Sequence, residues 1–318
     1  MDSILPISTD ARAELLVAAQ GYLDAARAPN TRRAYAVQWA TFATWCEQHG
    51  REPLPAAPAT LALFLTDRAQ HDAKVASLGL ALSAIRATHR AAGLADPAAT
   101  PEVFEVWSGI RRTHGCAQRR AAPLSADNVR AIVASSPPEK LIVVRNHALI
   151  LLGFAGAFRR SELVALDVAD LSFDPARGVV VNVRRSKTDQ TGEGVDVAIP
   201  FASQADVCAV RATLRWIEAA ELTEGPLLRS VSRHGAVGKR LSGRDVARIL
   251  KKAAERSGIE AEFISGHSLR AGLATAAAFA GKSDRSIMVQ GRWKSRAMVD
   301  RYVRAADAWR DNAAKGLL

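Results

Sequence analysis

Tyr302 is the only tyrosine after Tyr35 in this chain of 318 residues, and it closes an ordered set of side chains: Arg159, Lys187, His267, Arg270, Trp293 and Tyr302. Three cations, a histidine, an indole and a phenol gathered on one phosphodiester would make a metal-free cleaving site. A phenol with a pKa of about 10 is a poor nucleophile at neutral pH. Either neighbouring cations favour the Tyr302 phenolate or a base takes its proton. Attack on phosphorus gathers negative charge on two non-bridging oxygens, a geometry that the planar guanidinium forks of Arg159 and Arg270 match. Losing one such clamp typically costs roughly 10²-fold or more in rate.

Taken singly, each residue has a plainer reading. Arg159 beside Glu162 is a candidate ion pair on a helix surface, worth little by itself. His267 and Arg270 share one helix face at i and i+3, as many unrelated pairs do. Lys187 reads as an ordinary hairpin-tip lysine, Trp293 as core and Tyr302 as a packing residue. Their joint occurrence, in order and at these separations, sets them apart. The turn Ile264-Ser265-Gly266 ahead of His267 adds to it, because a helix N-terminus presents N–H groups to phosphate.

Two sets of elements must position these side chains. Residues 1–115 read as a helical domain. Pro29-Asn30-Thr31 starts a helix whose Tyr35, Trp39, Phe42 and Cys46 share one face, with a stop at His49-Gly50. Val75, Leu78, Leu82, Ile85 and His89 form a second stripe that Gly93 ends. Weaker helices fit Asp10 to Arg27, Ala57 to Gln70 and Pro101 to Thr113. Residues 116–123, with Arg119, Arg120 and Pro123, read as a basic linker whose charge suits a phosphate backbone. In residues 124–318 a helix starts at Ser125-Ala126-Asp127, and a buried helix from Asn146 to Phe158 delivers Arg159 to the surface. Val179 to Val183 and Val195 to Pro200 read as a β-hairpin that carries Lys187, with Gly192 and Gly194 in its turn. The stretches from Gln204 to Glu221 and from Ser242 onward are helical in pattern. The fold class is therefore mainly α with a small antiparallel sheet.

A net charge of +11 and a pI of about 10.1, with arginines spread along the chain, imply a polyanionic partner gripped by folded surfaces. Cys46, Cys116 and Cys208 form no Cys-x-x-Cys pair, so neither a disulfide framework nor a thiolate metal site is suggested and a reducing cytoplasm is expected. The N-terminus lacks the pattern of a secretory signal, and no run of 18 apolar residues occurs, so no membrane role is implied.

Ala157-Phe158-Arg159-Arg160-Ser161-Glu162-Leu163 resembles the first arginine motif of the tyrosine recombinase (phage integrase) family, and His267-Ser268-Leu269-Arg270 resembles its His-x-x-Arg motif. Gly291-Arg292-Trp293, with Tyr302 nine residues after the tryptophan, is similar to the family's Gly-x-(His/Trp) element and nucleophile. Arg184 to Asp189 sits where the family carries a catalytic lysine on a β-turn. Residues 30–46 also look like its DNA-clamping domain, and Trp293 in the histidine slot points to the Cre-like side rather than the Xer side.

The resemblance implies a helical SAM-like core-binding domain that closes half of a clamp on double-stranded DNA, joined to a mixed α/β catalytic domain. It implies Lys187 as the general acid for the departing 5′ oxygen, His267 as an aid to proton transfer, and Trp293 as indole N–H and packing. It further implies a 3′-phosphotyrosyl intermediate, a Holliday junction and a tetramer on two paired sites. The C-terminal stretch from Ala305 to Leu318, anchored by Trp309, would dock into a neighbour. No cofactor and no metal are expected, since the ester conserves the bond energy.

A metal-dependent nuclease would need clustered carboxylates, and no such set stands out. A nucleotide-driven motor would need a glycine where Ala276 stands ahead of Gly281-Lys282-Ser283. A type IB topoisomerase shares the arginine, lysine and tyrosine logic, and a non-catalytic DNA-binding protein of the same fold is the binding-only alternative. Filling of all six positions speaks against the latter, because loss of activity should first erode Tyr302.

Overall fold

A computed structural model describes residues 14–19, 21, 22, 26, 28–115, 122–186, 192–300, 302, 303 and 314. The chain divides into two compact units, Met1–Gln118 and Arg119–Leu318.

The first unit is helical in its described residues. Its elements are α1 (Pro29–Gln48), α2 (Pro58–Gln70), α3 (Val75–Ala91), a short 3₁₀ turn at Pro97–Ala99 and α4 (Pro101–His114). Pro29, Pro58 and Pro101 each open a helix, where the missing N–H costs nothing and the fixed φ is already helical. Phe42, Trp45, Leu61, Phe64, Leu65, Leu78, Leu82 and Ile85 make one core, with Phe42 edge-on to Phe64 at 5.0 Å. The buried His89 uses both ring nitrogens: Nε2 accepts from the Ala56 N–H at 2.9 Å and Nδ1 meets the Ile85 carbonyl at 2.9 Å. The weaker stretch from Asp10 to Arg27 is helical at its described residues 14–19, 21 and 22.

The second unit is mixed. It contains α5 (Ala126–Ala134), α6 (Leu141–Ala155), α7 (Arg160–Ala165), a three-stranded antiparallel sheet, α8 (Ala209–Ala219), a small hairpin, α9 (Gly243–Arg256), α10 (Ser268–Phe279) and α11 (Asp284–Gly291). The sheet runs β1 (Leu171–Asp174), β2 (Gly178–Val183), β3 (Val195–Pro200) in spatial order, and the hairpin pairs β4 (Arg229–Val231) with β5 (Val237–Arg240). Val179 faces Ile199 and Val181 faces Val197 across the β2–β3 ladder, and these four side chains point into the core. Helix α6 lies at the centre of that core, packed against α8 and α10. Reciprocal caps at Ser125 with Asn128 and at Ser242 with Asp245 start α5 and α9.

Three sequence expectations change here. Helix α6 begins at Leu141 and ends at Ala155, so it starts before Asn146 and stops short of Phe158. The early start follows from the apolar run Leu141 to Val144. The early stop follows from Ala157, which takes a left-handed φ of 46° and closes the helix: the Phe158 N–H bonds the Gly153 carbonyl and the Ala157 N–H bonds that of Phe154. Strand β1 pairs with β2 outside the expected hairpin, and β4 and β5 were not expected. They are short and rich in polar or charged residues, so no apolar alternation announces them. No helix among the described residues is long and apolar enough to cross a membrane.

Candidate active site

The turn that ends α6 places Arg159 at the N-cap of α7, not at the end of the buried helix. Here the surface ion-pair reading fails. The Arg159 and Glu162 side chains are only 8% and 1% exposed, so the pair is internal. The Glu162 carboxylate accepts from the Arg159 backbone N–H at 2.9 Å, from Arg159 Nη1, and from Arg292 Nη2 at 2.9 Å. Burial alone would raise the Glu162 carboxyl, but the Arg292 charge, with the hydrogen bonds and charge of Arg159, outweighs it and holds the group below its ordinary range.

Arg270 arrives on the first turn of α10. That helix lies close against the chain entering the unit: the Leu124 N–H bonds the Ser268 carbonyl, and a Cβ on Gly272 would fall 1.9 Å from the Leu124 oxygen. The Arg270 guanidinium is buried, gives Nη1 to the Ala157 carbonyl at 2.7 Å, and lies 4.1 Å from the Trp293 ring centroid. Its Nη2 has no hydrogen-bond partner among the described residues. Burial and then the Arg159 charge push its pKa down to about 9, against the opposing pull of Glu162.

Trp293 and Tyr302 belong to a separate small core with Ala274, Ala278, Ile287 and Val299. The Trp293 ring folds back over Gly291, where a Cβ would stand 1.7 Å from the ring, which accounts for glycine two places before the tryptophan. The Tyr302 ring is half-buried and lies 5.8 Å from the Trp293 ring. Four of the six sequence-predicted residues, Arg159, Arg270, Trp293 and Tyr302, are thus joined through contacts. His267 stands exposed at the N-cap of α10, one turn before Arg270. Lys187 lies outside the described residues, as do residues 305–318 apart from 314 and most of the linker. Gly192 and Gly194, on the return side of the hairpin, both take positive φ.

Sequence reasoning missed two members. Glu162 was read as a surface partner, and Arg292 was passed over inside Gly-Arg-Trp. The signal for Arg292 was the absence of a glycine where α11 must stop before a buried indole. The arrangement gathers three guanidinium groups around one carboxylate and one carbonyl, with a phenol beside them. Such a site is built to take a further anion.

The chain matches the phage integrase family over residues 123–308 and the phage integrase N-terminal SAM-like domain over residues 20–94. It is 40% identical to the integrase/recombinase xerD homolog of Selenomonas ruminantium, over 94% of this chain and 88% of that protein. It is 26% identical to the recombinase cre of Escherichia phage P1, over 84% of this chain and 82% of the other. A Xer-named and a Cre-named relative are thus both among its similar proteins, the Xer-named one at the higher identity. Among solved structures, that of the XerH site-specific recombinase in a post-cleavage complex with its palindromic difH substrate shares the fold, with a TM-score of 0.65 and 14% identity over 90% of this chain and 79% of the other.

Proposed function

The chain belongs to the phage integrase family, and from that premise we propose that it is a site-specific DNA recombinase that cuts and rejoins double-stranded DNA through Tyr302. The Tyr302 oxygen attacks the scissile phosphorus as the phenol proton leaves to a base, with His267 assisting. The bond from phosphorus to the 5′ oxygen breaks, and Lys187 donates the proton that makes this oxygen a hydroxyl. The protein is left on a 3′-phosphotyrosyl ester. Attack by the 5′-hydroxyl of a second duplex reverses the step and releases Tyr302. Arg159 and Arg270 hold the two non-bridging oxygens while charge accumulates there, and Trp293 packs against both Arg270 and Tyr302.

The observation that supports this reading most is the sharing of the Ala157–Glu162 turn by buried guanidinium groups, with Tyr302 against the indole that Arg270 overlies. The half-paired Arg270 gains a partner when phosphate arrives. The match of residues 20–94 to the SAM-like domain favours a recombinase over a type IB topoisomerase. Acting in the cytoplasm, four protomers on two paired sites exchange one pair of strands to form a Holliday junction and the second pair to resolve it. The segment beyond Tyr302 docks into a neighbouring protomer.

Incubation with supercoiled plasmid carrying the DNA that flanks this gene tests the reading. The expected product is a nicked circle with detergent-resistant protein on its 3′ end and a free 5′-hydroxyl, absent for Tyr302→Phe. Binding without any covalent product would make the chain a DNA-binding protein of this fold.

A further inference from the structure

Arg292 occupies the left-handed position that ends α11, with φ 56° and ψ 44°. Its own N–H bonds the Val289 carbonyl and the Trp293 N–H bonds that of Met288, the pairing of a helix stop that glycine ordinarily fills. A side chain at this φ is disfavoured, and such conformations persist when the surroundings hold them. Here the holding is done by the side chain itself. The guanidinium, 6% exposed, gives Nη1 to the Gly156 carbonyl at 3.0 Å and to that of Gln290 at 2.9 Å. Its Nη2 reaches the Ala157 carbonyl at 3.1 Å and Glu162 Oε2 at 2.9 Å, and its plane lies 4.9 Å from the Phe158 ring.

Two of those acceptors are shared with the phosphate clamps. The Ala157 carbonyl also receives Arg270, and Glu162 also receives Arg159. Ala157 is itself left-handed, so two helix stops whose left-handed residue is not glycine, one after α6 and one after α11, meet through this one side chain.

We propose that Arg292 is a positioning residue for strand cleavage: by holding Glu162 and the Ala157 carbonyl at once, it fixes Arg159 and Arg270 at the separation that a phosphate requires, and it keeps Glu162 Oε2, which the Arg159 backbone N–H also holds, from turning to the Arg159 guanidinium that Oε1 already binds. The proposal rests on the recombinase reading given above. Two parallel N–H···O bonds between a guanidinium and a carboxylate are the favoured geometry when no third group competes. In the absence of Arg292, Glu162 takes up the Arg159 donors that should face the DNA.

Arg292→Gly removes the side chain and leaves a residue at ease in the left-handed turn. On a fragment that wild-type protein cleaves, its single-turnover rate should fall about 10²-fold, the cost of a misplaced reacting geometry, with DNA affinity close to wild type. The distinguishing readout is the second substitution. Glu162→Gln impairs wild-type protein, yet added to Arg292→Gly it should restore part of the lost rate or cost nothing further, since the competing carboxylate is gone. Arg292→Lys carries the same comparison where the glycine variant does not fold, because one ammonium cannot span both acceptors. Losses that multiply in the double variant, a folded variant that cleaves as fast as wild type, or equal losses of affinity and rate would each overturn the proposal. A wild-type protein that forms no covalent product on any DNA would instead remove the recombinase reading beneath it.

Discussion

In the N-terminal unit the described buried polar residues are Thr60 and His89, the imidazole is bonded at both nitrogens to backbone groups of its own unit, and one buried hydroxyl, that of Thr100, has no hydrogen-bond partner among the described residues. The second unit buries Ser136, Thr213 and Ser268 and, with them, the ionisable Arg145, His147, Arg159, Glu162, Asp170 and Arg270, and three buried nitrogens lack a hydrogen-bond partner among the described residues, His147 Nε2, Arg270 Nη2 and Arg292 Nε. The first unit spends its interior on apolar contact. The second keeps guanidinium groups in excess of carboxylate, a composition that costs stability unless a ligand supplies the missing charge. The lesson is that substitutions in the two interiors should fail in different ways, and the following predictions press on that difference.

The largest effect belongs to the apolar interior. Phe64→Ala opens a cavity beneath Phe42 and Trp45 and should cost about 3–5 kcal/mol of stability. Denaturation of the full chain should show this as an early transition, accompanied by weaker DNA binding. A melting curve like that of wild type would mean that this core is not packed as described.

Arg270→Met should invert the pattern. Cleavage should fall roughly 10²-fold or more, while the melting temperature holds or rises, because an apolar side chain of similar length replaces a buried cation. The sign of its pH dependence is fixed by the pKa of about 9, well below that of an ordinary guanidinium. The cationic form is disfavoured in the folded protein, so the penalty is fully present below about 9 and relieved as pH rises above it. Any gain in stability from the substitution should therefore shrink above that pH. A marked loss of melting temperature at neutral pH would show that Arg270 is held for structure.

A smaller effect is expected from Glu162→Gln. The carboxyl is held below its ordinary pKa in the folded chain, so its contribution is present above the unfolded value and lost as pH falls through the lowered folded one. The variant should lose some stability at neutral pH and lose less than wild type on acidification. Parallel acid curves for the two proteins would remove Glu162 as the joint between Arg159 and Arg292.

The residues with reactive groups were the most legible part of the site, since Arg159, Arg270, Trp293 and Tyr302 stand out by type and spacing. Helices α1 and α3 were equally legible because an apolar stripe with a glycine behind it has few other readings. What stayed hidden depends on backbone angles. Ala157 and Arg292 adopt left-handed turns that no residue type announces, and these turns decide where α6 ends and how Arg292 reaches Glu162. Burial of Glu162 was hidden for a related reason: an arginine and a glutamate three residues apart look the same on a helix surface and at its buried first turn. Strands β4 and β5 escaped because a three- or four-residue edge pair with charged side chains carries no alternation.

The central claim is that one phenol carries the chemistry. Trapping the protein on a cleavable duplex, digesting both partners and locating the residual nucleotide by mass spectrometry tests it directly. The account predicts a nucleotide esterified through its 3′ phosphate to the peptide that contains Tyr302, with Tyr22 and Tyr35 unmodified; an adduct on either of those tyrosines or on a serine, or cleaved DNA with no adduct at all, would contradict it.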